Sequence, residues 1–297
     1  MRTESRDTGS GDIDIRPTAD AVRILWSGQW RAVGAVEAAL EEVARAVDAA
    51  AKVLAGHGRL VHVGAGTSAR IAVQDGAELL PTFGWPRERI AFAIAGGAAA
   101  LDQSVEDAED DARAGCSEIL RLGIGPEDVV VGTSASGTTP FTVAAVRQAH
   151  ECGALTIGIA NNPDSPLLRA AAFRIFADTG SEAIAGSTRL NAGTAQKVIL
   201  NLLSTGIMIR LGRVYGGLMI GMQPTNQKLR RRAIRIVSSI AGCGESAAEE
   251  ALAGSDGDIR LACLLAAGVD IERARHMLDE CSGDLRKARR LLGLETE

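Results

Sequence analysis

The chain has 297 residues, long enough for one sizeable α/β domain with small additions. Apolar residues make up 46% of it and aromatic residues only 3%, so small and aliphatic side chains must pack the core. The formal net charge of −5 argues against a nucleic-acid-binding surface. An anionic ligand would therefore need local hydrogen-bond donors rather than a general positive field.

The five cysteines form no C-x-x-C pair, which argues against a disulfide framework or a zinc site. We expect idle thiols in a reducing compartment. No N-terminal apolar segment has the pattern of a signal peptide, and no apolar run approaches the ~18 residues of a membrane span. These patterns predict a cytoplasmic protein with no membrane or nucleic-acid partner.

The chain order predicts four regions. Residues 1–17 are polar and charged, which predicts a disordered tail. Residues 18–55 carry apolar side chains at three- and four-residue steps, which predicts helix. Residues 56–223 alternate β-branched runs with helical segments, which predicts an α/β domain with a parallel sheet covered on both faces. The predicted strands are Leu60–Val63, Ile90–Ile94, Val129–Val131, Leu155–Ile159 and Phe173–Phe176, and the helices are Ala69–Leu79, Asp110–Leu122, Thr139–Cys152 and Thr188–Leu211.

Residues 224–297 predict a small helical bundle. Gly257-Asp258-Ile259-Arg260-Leu261-Ala262 recurs weakly as Gly283-Asp284-Leu285-Arg286-Lys287-Ala288. In each copy Gly-Asp is placed to end one helix and begin the next. The pattern resembles a ubiquitin-associated (UBA-like) three-helix fold, serving as a stabilising cap or dimer support.

A first glycine turn follows the strand that begins at Leu60. Gly66, Thr67 and Ser68 stand where a helix starts, so free amides and two hydroxyls would face an anion. The segment also fits a dinucleotide-binding pattern, but the next strand does not end in the acidic residue that such a site needs. We therefore expect phosphate here rather than a dinucleotide.

A second turn, rich in hydroxyls, follows the strand that begins at Val129. Its candidate phosphate ligands are Ser134, Ser136, Gly137, Thr138 and Thr139. One such turn is weak evidence, because Ser and Thr are common in turns and caps. Two of them at the carboxyl ends of strands of one sheet predict a phosphosugar site, and together they resemble the sugar isomerase (SIS) family of domains.

Two further stretches carry candidate residues. Ser187 and Thr188 stand at the start of a long predicted helix, where they would bind substrate or cap the helix. Glu182 lies in the loop before them and either contacts substrate or balances the charge of Arg189 or Lys197. Glu78 stands among Leu79, Leu80 and Phe83, where burial would raise its pKa as a general acid requires. By composition alone, Glu109 would be a solvated acid at a helix start.

Taken in order, these stretches resemble the N-acetylmuramic acid 6-phosphate etherases over nearly the whole chain, from about residue 18. The matching strings are VGAGTS (63–68), PTFG (81–84), IAGG (94–97), VEDAEDD (105–111), NPDSPL (162–167), GSTRL with AGTAQK (186–197) and LST (203–205). The resemblance implies an SIS-type sheet, no metal or nucleotide cofactor, and a homodimer with sites near the subunit interface. It places the two functional glutamates of the family on Glu78 and Glu109.

The reaction that the resemblance implies is loss of D-lactate from the C3 ether of a sugar phosphate, followed by addition of water. Two carboxyl groups in contrasting environments would supply an acid and a base. We assign Glu78 as the acid for lactate and Glu109 as the base at C2, with the exchanged roles as the alternative.

The chain departs from the family pattern at four places. Thr138 stands where the family usually has Arg, and Asn191 where it usually has Lys. Ala69 replaces a glycine, and Leu79-Leu80 replaces Cys-Pro. The loss of two cations affects which anionic sugar the site would bind. Two other functions therefore remain as alternatives to the etherase: a non-catalytic phosphosugar sensor, and a related lyase that acts on another sugar phosphate.

Overall fold

The computed structural model describes residues 2–103, 105 and 107–295. Contacts divide these residues into two compact units. The first lies within Met1–Gly76 and Glu88–Ile207, and the second within Ala77–Arg87 and Met208–Glu297. The segment 77–87 thus belongs with the C-terminal part of the chain. These contacts divide the chain after residue 207, whereas the sequence predicts a domain boundary at residue 223. The boundary at residue 223 stays a prediction.

The first unit contains a five-stranded sheet in which every neighbouring pair is parallel. All five predicted strands are confirmed, with the bounds Leu60–Gly64 (β1), Ile90–Ile94 (β2), Val129–Ser134 (β3), Leu155–Ala160 (β4) and Phe173–Phe176 (β5). The strand order is β2-β1-β3-β4-β5. All residues of β1 and β3 are buried, as the apolar runs predict.

Helices flank this sheet at short distance, as the scarcity of aromatic residues predicts. A Cβ at Gly132 of β3 would overlap Val146, and a Cβ at Gly206 would lie 2.9 Å from Val47 Cγ2. Side chains larger than glycine at these positions would push the layers apart. The helices up to residue 210 are Thr18–Gly34 (α1), Leu40–Leu54 (α2), Gly66–Ala77 (α3), Leu79–Phe83 (α4), Ala112–Arg121 (α5), Pro140–Glu151 (α6), Pro166–Ala170 (α7) and Asn191–Arg210 (α8).

Strand register places the two glycine- and hydroxyl-rich turns side by side. Gly64, at the end of β1, pairs with Thr133 of β3. Neighbouring strands of a sheet lie about 4.8 Å apart. The turn after β1 and the turn after β3 therefore leave the same edge of the sheet as neighbours.

The N-terminal segment makes specific contacts that the prediction of a free tail does not include. Thr3 and Ser10 are buried. Thr3 Oγ1 accepts a hydrogen bond of 2.9 Å from Asn162 Nδ2, and Ser10 Oγ donates one of 3.0 Å to the Ala183 carbonyl. In this structure the segment lies against the loops that follow β4 and β5.

The second unit is mainly helical. A two-stranded antiparallel hairpin, Val214–Tyr215 (β6) with Leu218–Met219 (β7), precedes its helices. The prediction that Gly-Asp begins a new helix in each copy of the repeat is confirmed. Asp258 and Asp284 each accept two amide hydrogen bonds at a helix start, and each follows a glycine in the left-handed region, with φ of 81° and 78°. Likeness to a UBA fold stays a prediction. The helices are Gln227–Ala241 (α9), Glu245–Gly254 (α10), Ile259–Leu265 (α11), Ile271–Glu280 (α12) and Leu285–Leu291 (α13).

In the part of the chain that the structure describes, no helix combines the length and the apolarity needed to cross a bilayer.

Candidate functional site

The first turn opens α3 three residues earlier than the sequence predicts. The helix starts at Gly66, whose φ of 53° is in the left-handed region that glycine adopts without strain. Gly66, Thr67 and Ser68 therefore form the first helical turn, where backbone amides lack intrahelical acceptors. These amides can bind an anion, as the motif predicts.

Glu109 shares a cleft with this turn. The cleft has a volume of about 310 Å³. Its lining residues are Ala65, Gly66, Thr67, Arg70, Ala95, Ala100, Gln103, Val105, Asp107, Ala108 and Glu109. The structure thus brings together a carboxylate and an anion-binding helix start that lie far apart in the sequence.

Two contacts fix the backbone that carries Glu109. The Glu109 carbonyl accepts a hydrogen bond of 3.0 Å from the Phe141 amide, at the start of α6. Two residues on, Asp111 caps α5 by accepting a bond of 2.9 Å from the Ala114 amide. Glu109 therefore projects from a loop held at two helix starts, while its side chain stays exposed.

The second turn gathers all five of its predicted residues around Ser134. Ser134 Oγ lies 2.8 Å from Thr139 Oγ1 and 3.3 Å from Ser136 Oγ, and it accepts the Gly137 amide at 3.1 Å. Ser136 Oγ accepts the Thr138 amide at 3.1 Å and the Thr138 hydroxyl at 3.0 Å. Clustered hydroxyls of this kind match the donor needs of a phosphate group.

Glycine is required at the centre of the second turn. Gly137 has a φ of 68°, and a Cβ there would overlap the side chain of Ser165. The sequence prediction for this turn rested on its composition, and the geometry agrees with it. Whether these residues hold a phosphate stays a proposal.

The Ser68 hydroxyl has a partner within the protein, and its predicted contact with substrate stays a prediction. Its buried hydroxyl donates to Gln196 Oε1 at 2.9 Å, and Gln196 Nε2 donates to Asn161 Oδ1 at 3.0 Å. Asn161 in turn donates to the Ala177 carbonyl at 3.0 Å. This buried relay joins α3, α8 and the ends of β4 and β5, so Ser68 holds the first turn in place.

Glu182 forms the cap of α8. The sequence left open a substrate contact or a charge partner in Arg189 or Lys197. In the structure the side chain is wholly buried, and its oxygens accept the amides of Asn191 at 2.8 Å and Ala192 at 2.9 Å. Burial raises the pKa of Glu182, and the two amide bonds oppose that rise.

Ser187 and Thr188 precede α8 by three residues or more, because the helix begins at Asn191 rather than at Thr188. The Thr188 carbonyl accepts the Gly193 amide at 2.9 Å. A Cβ at Gly193 would lie 3.6 Å from Thr67 Cγ2, so the first turn of α8 runs beside the first glycine turn. Both predicted residues are therefore close in space to the cleft's elements, with half-buried side chains.

Glu78 does not have the apolar surroundings that the sequence predicts. It lies between α3 and α4, in the second unit, and its side chain is exposed, whereas Leu79 and Phe83 are buried. A single helical step turns neighbouring residues to different sides, so a carboxylate next to leucines in sequence need not be buried with them. Glu78 is thus exposed where the sequence predicts burial, and its acid role stays a prediction.

Sequence reasoning missed three residues of this region. Arg70 lines the cleft, and Gln196 with Asn161 forms the buried relay. Each stands within or beside a string that carries the family resemblance, which was the available signal. Among the described residues no three His, Cys, Asp or Glu side chains are arranged to hold a metal ion.

The parallel sheet and its two turns define an SIS domain. The SIS domain family model matches residues 118–205, and that of the glucokinase regulatory protein N-terminal SIS domain matches residues 42–150. A phosphoheptose isomerase from Francisella tularensis has the same fold, with a TM-score of 0.51 and 21% identity over 65% of this chain and 98% of that one.

The relatives that match along the full length narrow this class to one family. N-acetylmuramic acid 6-phosphate etherase from Deinococcus radiodurans is 45% identical over 98% of this chain and 95% of its own length. The protein of the same name from Salmonella choleraesuis is 43% identical over 96% and 97%. The chain belongs to the N-acetylmuramic acid 6-phosphate etherase family.

Proposed function

We propose that this protein cleaves the D-lactyl ether of N-acetylmuramic acid 6-phosphate, giving N-acetylglucosamine 6-phosphate and D-lactate. The observation that carries the proposal is the cleft in which Glu109 stands beside Gly66 and Thr67. Full-length identity of 45% to a named etherase supports the substrate. The protein would then act in amino-sugar recycling in the cytoplasm.

The two neighbouring turns suit the two ends of one sugar phosphate. Hydroxyls around Ser134 match the 6-phosphate, and the cleft with Glu109 matches the C2–C3 end. The turns leave adjacent strands about 4.8 Å apart, so a single sugar can span them. A sugar bound in this way would have its C2 near the carboxylate of Glu109.

The chemistry needs a base and an acid. In the open-chain sugar the aldehyde acidifies C2, and Glu109 removes that proton. The electron pair forms the C2–C3 double bond while the C3–oxygen bond breaks, and Glu78 protonates the departing lactate oxygen. Water then adds at C3, losing a proton to Glu78, and C2 regains a proton from Glu109. The exchanged assignment of the two glutamates stays the alternative.

A homodimer is part of the proposal. Trp26 and Trp30 on α1 are 65% and 68% exposed, with ring centroids 6.4 Å apart. Val22 and Val33 extend the same exposed apolar face. Faces of this kind mark protein–protein contacts.

The deciding experiment is incubation with N-acetylmuramic acid 6-phosphate and an assay for D-lactate. We expect release by the wild type, and loss of at least 100-fold, on the order of a general-base contribution, in Glu109→Gln. Glu127→Gln removes an exposed carboxylate at the amino end of β3 and is the matched control. Binding of the sugar phosphate without lactate release would favour a sensor instead.

A further inference from the structure

Arg70 on α3 holds one wall of the cleft. Its Nε donates to the Ala100 carbonyl at 3.1 Å, and its Nη2 donates to the Gln103 carbonyl at 2.9 Å. The segment between them follows Gly96 and Gly97, whose φ angles of 80° and 67° make a turn that glycine alone adopts easily. One edge of the guanidinium, formed by Nε and Nη2, therefore holds the loop from residue 97 to 103.

The rest of the guanidinium is available to a ligand. An arginine side chain carries five N–H donors, and the two bonds to Ala100 and Gln103 use only part of them. Among the described residues none accepts a hydrogen bond from Nη1, and the side chain is exposed and lines the cleft. Of the described lining residues, Arg70 is the only one with a positive charge, whereas Asp107 and Glu109 are acids.

The proposed substrate brings a carboxylate into this cleft. The lactyl group is attached at C3, next to the carbon on which Glu109 acts. Its carboxylate is only a few bonds from C2, so a sugar bound with C2 at Glu109 brings two carboxylates close together, and like charges repel each other. A cation in the same cleft offsets this repulsion, and a guanidinium matches the paired oxygens of a carboxylate.

We propose that Arg70 binds the carboxylate of the lactyl group, and so selects the ether substrate over sugar phosphates that lack this acid. The inference rests on the proposed etherase function. The same residue positions the loop over the cleft, so recognition and shape depend on one side chain.

The first test uses the wild-type protein and two substrates, N-acetylmuramic acid 6-phosphate and its analogue with the lactyl carboxylate converted to the amide. We expect kcat/KM for D-lactyl release to fall about 10- to 100-fold with the amide, as for loss of a charge-assisted contact. Equal turnover of the two substrates overturns the proposal without any variant. Absence of D-lactate release from the acid, together with absence of D-lactamide release from the amide, would instead contradict the etherase function itself.

The second test asks whether Arg70 is the residue responsible. In Arg70→Gln the acid should lose most of its advantage over the amide, in addition to any common loss that displacement of the loop from residue 97 to 103 causes in both substrates. Arg70→Lys should keep part of the preference, because it keeps the charge. Arg147→Gln removes an exposed arginine of α6 and is the control.

An arginine that only supports the loop would behave differently. Arg70→Gln would then weaken turnover of the acid, turnover of the amide and binding of N-acetylglucosamine 6-phosphate by the same factor. That result overturns the proposal. If Arg70→Gln does not fold, the acid-to-amide ratio in Arg70→Lys decides, since an unchanged ratio would leave Arg70 no part in recognising the carboxylate.

Discussion

Glu78 and Glu109 are both exposed in the single chain, although the proposed reaction needs one as an acid and the other as a base. Their surroundings nevertheless differ. Glu109 lies in a defined cleft with Arg70, whereas Glu78 follows α3 in a segment of the second unit. The shared cleft places Glu109 beside the anion-binding helix start at Gly66 and Thr67, and this is the structural reason for proposing C2 proton removal by Glu109.

The two roles predict different results for single variants. Glu78→Gln should abolish release of lactate but retain exchange of the C2 proton with solvent deuterium, because the base is intact. Glu109→Gln should lose both. Exchange is followed by the loss of the C2 proton signal in NMR. Loss of exchange in Glu78→Gln, together with its retention in Glu109→Gln, would reverse the assignment.

His62 predicts a pH dependence of stability. It is 3% exposed in β1, its ring lies 5.8 Å from that of Phe92, and neither ring nitrogen has a hydrogen-bond partner among the described residues. Burial lowers the pKa of His62 from its usual value of 6.5, and the nearby Asp75 partly opposes this. Below pH 6.5 the unfolded chain therefore binds more protons than the folded one.

The free energy of unfolding should consequently fall as pH is lowered from 6.5, by up to about 1.4 kcal/mol per pH unit from this group. Urea unfolding at about pH 8 and at about pH 5, on either side of the usual histidine pKa, measures this fall in the free energy of unfolding. His62→Leu should be less sensitive over this interval. His57→Leu, which removes an exposed imidazole before the same strand, is the control. Identical pH dependence in wild type and His62→Leu would contradict the prediction.

Residue types in the turns were readable from the sequence, but the direction of each side chain was not. Ser68 and Glu182 both stand in motifs that predict ligand contact, yet one bonds Gln196 and the other caps α8. Their partners are 128 and 9 residues away in the chain. Only the folded arrangement decides whether a hydroxyl or carboxylate is occupied by a protein donor or acceptor.

The elements themselves were largely predictable. Runs of Val and Ile mark the buried parallel strands, and every predicted strand overlaps an observed one. The observed helix starts differ from the predicted ones by up to three residues, as at Gly66 and Asn191, because glycine turns and remote caps determine where each helix begins. The sequence could not predict that the segment 77–87 belongs to the second unit, since this depends on the contact of Phe83 and Gly84 with Gly221.

The two missing cations of the family pattern have different surroundings, which predicts opposite effects of restoring them. Thr138 is exposed on the second turn, so Thr138→Arg has room and should tighten sugar-phosphate binding about tenfold through a charge-assisted bond. Titration calorimetry with N-acetylglucosamine 6-phosphate measures the effect. Thr138→Gln, a long uncharged side chain, separates charge from size. Unchanged affinity in Thr138→Arg would place the phosphate away from this turn.

Restoring lysine at residue 191 should instead destabilise the protein. Asn191 is buried, donates to the Ser181 carbonyl at 3.2 Å, and lies so close to Gly28 that a Cβ there would be 2.7 Å from Asn191 Oδ1. A larger charged side chain would overpack this contact between α1 and α8 and cost about 1–3 kcal/mol of unfolding free energy. Equal urea midpoints for wild type and Asn191→Lys would contradict this.

At the scale of the whole molecule, charge and apolar surface point to different partners. The chain carries a net charge of −5, so its proposed anionic substrate is attracted by local groups in the turns and by Arg70 rather than by the overall field. The exposed apolar face of α1, from Val22 to Val33, has no such ligand chemistry. It is better explained by contact with another protein surface.

The proposed homodimer makes that explanation testable. Tryptophans contribute large areas to interfaces, so a partner that covers Trp26 and Trp30 would depend on them. We expect the wild type to have twice the 30.9 kDa chain mass by light scattering after gel filtration, and Trp26→Ser/Trp30→Ser to shift toward the single-chain mass. Leu120→Ser, which removes an exposed leucine of α5, should stay dimeric.

If the double variant keeps the dimer mass, this face of α1 is not the interface, and the subunits must meet through another surface. If it becomes a monomer and also loses lactate release, the site needs the partner subunit.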